Sequence, residues 1–125
     1  MRRTRGFTLM ELMVVMAIIA TLMTLALPRY FHSVDRSREA VLRQDLQIMR
    51  DAIDKFLADR GRYPLTLDEL AEKRYLRKVP PDPITESSDT WVVVSPPDAE
   101  TRAGVYDVRS GAPGNSLDGE PYESW

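Results

Sequence analysis

The chain contains 125 residues, of which 43% are hydrophobic, and this length is enough for one small domain. It has no cysteine, so a disulfide framework and a thiolate metal site are both excluded. The net charge is −2, and three of the seventeen basic residues lie in the first six positions, so the rest of the chain carries a net charge of −5. A body with this negative charge is not expected to bind nucleic acid.

The first predicted element is an apolar segment from Phe7 to Leu27, which contains one charged residue, Glu11. As a helix this segment would be about 31 Å long, which is close to the roughly 30 Å hydrocarbon core of a bilayer. We therefore predict a helix that spans a membrane.

The charges that flank this segment predict its orientation. Arg2, Arg3 and Arg5 precede it and Arg29 follows it, which places the N-terminus in the cytoplasm and the body outside. A secretory signal peptide also has a basic start, but it needs small residues around a cleavage site at its far end, and the chain near Ala26 does not provide them. We therefore expect the segment to stay in the mature protein.

Glu11 is the unusual residue of the segment, because a carboxylate inside a bilayer costs about 2.5 to 3.5 kcal/mol. Cleavage after Gly6 would make Phe7 the N-terminus and place an ammonium group four residues before Glu11. At about 4 Å and an effective dielectric constant near 20, such a pair would gain roughly 4 kcal/mol and offset that cost. A pair within one chain and a pair between neighbouring chains are both compatible with the sequence.

The sequence RGFTLMELMVVMAIIATLMTLALP closely resembles the class III signal of type IV pilins and type II secretion pseudopilins. The shared features are Gly6 before the cut, Phe7 after it, Glu11 at the fifth mature position and Pro28 at the twenty-second. The resemblance implies that a prepilin peptidase cuts between Gly6 and Phe7 and methylates the new amine. It also implies that Glu11 guides docking into a growing filament. A plain membrane anchor is the alternative.

After Pro28, apolar residues recur at alternating steps of four and three, which predicts one face of an amphipathic helix packed on a sheet. Gly61 predicts that the helix ends near Arg60, and Pro28 is expected to kink it. Glu39 and Arg43, four residues apart, are expected to lie on the solvated face. The predicted apolar stripe consists of Leu42, Leu46, Met49, Ile53 and Phe56.

The remaining elements predict an α+β fold, in which the long N-terminal helix packs on a small antiparallel sheet and an irregular C-terminal loop follows. Thr66 and Glu69 have the spacing of a capping box that starts a short second helix. The proline-rich residues 78–83 predict an extended loop. Residues 91–94 and 105–109 are the predicted strands, joined by a hairpin loop.

The C-terminal loop, residues 110–125, has no hydrophobic period, and Tyr122 and Trp125 are expected to pin it to the body. The stretch GRYPLTLDELAEKRYLRKVPPDP is similar to the body of the major pseudopilins of type II secretion. The loop lacks the aspartate-rich run that holds calcium in well-known major pseudopilins. Calcium binding is therefore a hypothesis here, with Asp118, Glu120 and Glu123 as the candidate ligands.

No catalytic activity is expected, because a single histidine, His32, without cysteine or a carboxylate cluster is a poor catalytic base or metal site. The expected organisation is a basic leader at 1–6, a transmembrane and filament-core helix at 7–27 and a periplasmic pilin-like domain at 28–125.

The resemblance implies a structural subunit of a type II secretion pseudopilus, anchored in the inner membrane, that polymerises with its own copies to help drive protein export. The implied partners are the prepilin peptidase, other pseudopilins and the inner-membrane assembly platform. Two alternatives stay open. One is a major or minor type IV pilin used for adhesion, motility or DNA uptake, and the other is a monomeric membrane-anchored binding module.

Overall fold

A computed structural model describes residues 5–125, so Arg2 and Arg3 lie outside the described residues. The described chain has the predicted α+β fold, with a long helix and a two-stranded antiparallel sheet. It divides into two compact units, of which the first ends at Asp35 and the second spans Arg36–Trp125. The elements are α1 (Leu9–Arg60), α2 (Leu67–Glu72), β1 (Val92–Val94), β2 (Asp107–Arg109) and a terminal 3-10 helix (Tyr122–Ser124).

Thr8 caps the start of α1 in the first unit. Its hydroxyl oxygen accepts a hydrogen bond from the Glu11 backbone N–H at 3.1 Å, and its carbonyl oxygen accepts one from Leu12 at 3.1 Å. The first bond satisfies a donor that the start of a helix otherwise leaves without a partner, and the second is the first i to i−4 hydrogen bond of the helix. The helix continues through Pro28, and the kink expected there stays a prediction.

The predicted apolar stripe of α1 is buried in the second unit. Leu42, Met49 and Phe56 are 0% exposed, which confirms that this face of the helix forms the core. The helix ends where predicted, because Gly61 has a φ of +68° and its N–H donates to the Leu57 carbonyl at 2.8 Å. Glycine adopts this left-handed conformation without the steric cost that a side chain would add.

The start of α2 follows the predicted capping box with one difference. The Glu69 N–H donates to Thr66 Oγ1 at 3.2 Å, as expected. The Glu69 carboxylate reaches back to the Leu65 N–H at 2.7 Å, one residue further than the capping box predicts, and pairs with Arg62 at 2.6 Å. The hydrogen bond from Arg62, followed by that from Leu65, lowers the pKa of Glu69.

The two predicted strands are confirmed as an antiparallel pair, with Val92 opposite Arg109. Arg50 links this sheet to α1, because its Nε donates to Asp107 Oδ1 and its Nη2 donates to the Val108 carbonyl, both at 2.9 Å. A guanidinium group suits this position, since its fixed fork of donors serves two acceptors at once.

The proline-rich loop between α2 and β1 is organised around Asp82, whose side chain is 0% exposed. The Asp82 carboxylate accepts hydrogen bonds from Ser110 Oγ at 2.6 Å and from the Ile84 N–H at 2.8 Å. Trp91 belongs to the core, and its Nε1 donates to the Pro80 carbonyl at 2.7 Å. The buried carboxylate therefore joins this loop to the chain that follows β2.

A second carboxylate, Asp45 of α1, is partly buried near Asp82. Burial is the main reason that the pKa of Asp45 is raised, and repulsion from Asp82 is the second. An acid whose pKa is higher in the folded state than in the unfolded state lowers the stability of the protein when it is ionised. The free energy of unfolding therefore falls as the pH rises from the unfolded pKa through the folded one.

The substitution Asp45→Asn is expected to raise the melting temperature near neutral pH, because an amide carries no charge to bury beside Asp82. The gain should shrink at about pH 3, where Asp45 is protonated in the wild type as well. Thermal unfolding of the full chain in detergent micelles at both pH values measures it, with the exposed Asp54→Asn as the matched control. A gain that is equal at the two pH values, or equal in the control, would contradict the assignment.

Candidate functional site

The apolar segment, residues 7–27, is exposed along its whole length in the first unit. None of its residues is buried among the described residues. By length and composition this helix fits a membrane anchor. Because exposed apolar surface costs about 25 cal/mol per Å² in water, lipid or other protein must cover the segment.

The predicted processing and assembly residues lie at the start of this segment. Gly6 and Phe7 precede α1 and are not part of a helix, and the Phe7 side chain is 81% exposed. A side chain at Gly6 would meet no other atom of residues 5–125 within 4 Å, so packing within the described part of the chain does not explain the glycine. Glu11 is exposed in the first turn of α1, where a negative charge interacts favourably with the helix dipole.

The C-terminal loop is pinned to α1 as predicted, and the structure identifies the contacts. The Tyr122 ring packs edge-on against Trp125 with a centroid distance of 5.3 Å. The Tyr122 hydroxyl donates to Glu39 Oε1 at 2.9 Å, and the Leu117 N–H donates to the same oxygen at 2.7 Å. Arg43 lies 4.3 Å from the centre of the Trp125 ring, which is a cation–π contact.

The expectation that Glu39 and Arg43 form part of the solvated face of α1 is therefore wrong for Glu39, whereas Arg43 is exposed as predicted. Glu39 is only 8% exposed, and its carboxylate binds the C-terminal loop, while Arg43 stacks on an aromatic ring of that loop. The spacing contained a signal for Glu39, because this residue lies three positions before Leu42 and continues the period of the buried stripe. The charge of Glu39, taken alone, predicts an exposed position instead.

The candidate calcium ligands do not form a ligand cluster. Asp118, Glu120 and Glu123 are exposed, and residues 5–125 contain no group of three or more His, Cys, Asp or Glu side chains that could hold a metal ion. Calcium requires six to eight oxygen ligands. These three carboxylates alone do not form such a site, and calcium binding by this loop stays a hypothesis.

The comparisons with known proteins agree with the N-terminal features. Residues 1–27 match the family model described as the prokaryotic N-terminal methylation motif. The type II secretion system core protein G of Klebsiella pneumoniae is 31% identical over 99 residues, which cover 66% of this chain and 71% of that protein. The corresponding protein of Escherichia coli K12 is 28% identical over 131 aligned positions, which cover 92% of this chain and 86% of that protein.

A second kind of relative matches a shorter region. The type IV major pilin PilA of Myxococcus xanthus is 38% identical over 61 residues, which cover 49% of this chain and 28% of the pilin. No solved structure matches the chain significantly. The long capped helix, the small sheet and the methylation motif together define a protein of the prepilin class. The chain belongs to the family of type II secretion system core protein G.

Proposed function

We propose that this protein is the structural subunit of a type II secretion pseudopilus and that it polymerises through the apolar segment to help drive protein export. The observation that carries the proposal is the exposed apolar helix with one carboxylate, Glu11, in its first turn. A helix that is apolar on all sides needs lipid or other helices around it. A filament core built from many copies provides such surroundings.

Cleavage of the leader would add a charged N-terminus to the apolar segment. A prepilin peptidase that cuts between Gly6 and Phe7 would leave Thr8 as the second mature residue, so the cap of α1 would be retained. The new ammonium group on Phe7 would lie beside the positive end of the helix dipole, which is unfavourable. A carboxylate at Glu11, from the same copy or its neighbour, would offset both charges in a medium of low dielectric constant.

The proposed organisation has three parts: a leader at 1–6, an inner-membrane and filament-core helix at 7–27 and a periplasmic domain at 28–125. The prepilin peptidase, other pseudopilins and the inner-membrane assembly platform are the proposed partners. The role is structural and not catalytic, in keeping with the structural relatives of the chain.

A type IV pilin is the second candidate, and the similarity to the Myxococcus xanthus pilin favours it. The two candidates predict different effects of gene deletion. Loss of a pseudopilus subunit abolishes export of secreted proteins, whereas loss of a major pilin removes long surface fibres.

Substitution of Glu11 tests polymerisation. Glu11→Gln keeps the shape of the side chain and removes the charge that would pair with the Phe7 ammonium group. We expect normal insertion into the membrane but at least about a tenfold loss of filaments, since the lost pairing exceeds 1.4 kcal/mol. Filaments sheared from cells and cross-linked oligomers in membranes measure the loss.

The matched control is Glu100→Gln, which neutralises an exposed carboxylate in the hairpin loop and should leave filaments unchanged. Wild-type amounts of filament in Glu11→Gln would contradict the proposal and favour the monomeric membrane-anchored binding module.

The absence of cysteine allows a direct test of orientation. Glu100→Cys is expected to react with a membrane-impermeant maleimide added to intact spheroplasts, because the second unit would face the periplasm. Thr4→Cys, examined in cells without prepilin peptidase, is expected to react only after lysis. Labelling of Thr4→Cys in intact spheroplasts would reverse the proposed orientation.

A further inference from the structure

The C-terminal loop presents hydrogen-bond donors to α1, and the acceptor is a single carboxylate. The backbone N–H of Leu117 and the hydroxyl of Tyr122 both point at Glu39 Oε1, at 2.7 and 2.9 Å. Hydrogen bonds to an ionised acceptor are about twice as strong as those between neutral groups. Glu39 is 8% exposed, so water competes little for these bonds.

The loop also closes on itself through its backbone. The Ser116 N–H donates to the Glu120 carbonyl at 2.7 Å, and the Gly119 N–H donates to the Ser116 carbonyl at 2.9 Å. The Tyr122 N–H donates to the Gly114 carbonyl at 3.3 Å. The carbonyl oxygens of Gly114, Ser116 and Glu120 are therefore already acceptors within the loop, as are those of Pro121 and Tyr122.

A loop that binds a cation presents oxygen ligands to it, whereas this loop presents hydrogen-bond donors. A cation-binding loop must turn oxygen atoms towards one point, and calcium needs six to eight of them. Here the donors converge instead, and the nearby carboxylates of Asp118, Glu120 and Glu123 are exposed and form no metal-binding group among the described residues. Donor groups that converge on one point select an anion, and Glu39 supplies that anion from within the chain.

We propose that the Glu39 carboxylate takes the structural role that a bound calcium ion would have. It holds the C-terminal loop on α1 and so makes the fold independent of calcium. All of the contacts lie within the second unit, Arg36–Trp125. The inference therefore holds for the single chain whether or not it polymerises. Its failure is distinguishable from failure of the proposed filament function.

The first measurement is thermal unfolding of the wild-type full chain in detergent micelles, with excess EGTA and with millimolar calcium chloride. The melting temperature is expected to be the same in the two conditions. A structural calcium site at about 100 times its dissociation constant would raise the melting temperature by on the order of 10 °C. An increase of that size would overturn the proposal.

The second measurement uses variants, compared by unfolding and by hydrogen exchange of the Leu117 amide. Glu39→Ala is expected to lower the melting temperature and to speed exchange at Leu117, and calcium should restore neither. Tyr122→Phe keeps the carboxylate and removes one of its two donors, so a smaller change of the same kind is expected. This variant keeps the test decisive if Glu39→Ala does not fold.

The matched control is Asp54→Ala, which removes an exposed carboxylate from the same helix. Three results would overturn the proposal. These are a Glu39→Ala variant that behaves like the control, a Tyr122→Phe variant with unchanged exchange at Leu117, and recovery of either variant on addition of calcium.

Discussion

Burial of one face of α1 between Glu39 and Phe56 is the interaction on which the second unit depends. Leu42, Leu46, Met49, Ile53 and Phe56 on this face are at most 2% exposed, and the same core contains Leu70 of α2, Val108 of β2 and Tyr122 of the C-terminal loop. Complete burial of one such aliphatic or aromatic side chain contributes about 1.5 to 3 kcal/mol. The two-stranded sheet is too small to be stable alone, so it depends on this face of the helix.

The same helix carries a second kind of surface before Asp35. From Phe7 to Leu27 the apolar side chains lie on all sides and none is buried in the chain. A stripe with a period of about 3.6 residues indicates packing on one partner, whereas an apolar surface on all sides indicates a membrane or a bundle. One continuous helix thus combines a face that folds the body with a segment that needs lipid or other copies around it.

Much of this fold could be predicted from local patterns. The buried stripe, the end of α1 at Gly61 and the cap at Thr66 each depend on residues within a few positions of one another. Both strands and their antiparallel pairing were also predicted correctly. Such features follow from helix periodicity and from glycine and threonine stereochemistry.

The contacts that were missed join residues far apart in the chain. Glu39 bonds to Leu117 and Tyr122 across 78 and 83 residues. Spacing could have marked Glu39 as a member of the buried face, but it contains no information on which distant donors would meet the carboxylate. The roles of Gly6, Phe7 and Glu11 depend on an enzyme and on neighbouring copies, so they stay predictions.

The central claim is that the chain is processed after Gly6 and assembles through its new N-terminus. The most direct measurement is intact mass and N-terminal fragmentation of the protein extracted from membranes of cells with and without prepilin peptidase. A product that begins with methylated Phe7, present only when the peptidase is present, is the predicted result. A product that keeps Met1 to Gly6 in both strains would contradict the claim and leave a membrane-anchored domain without the pairing proposed for Glu11.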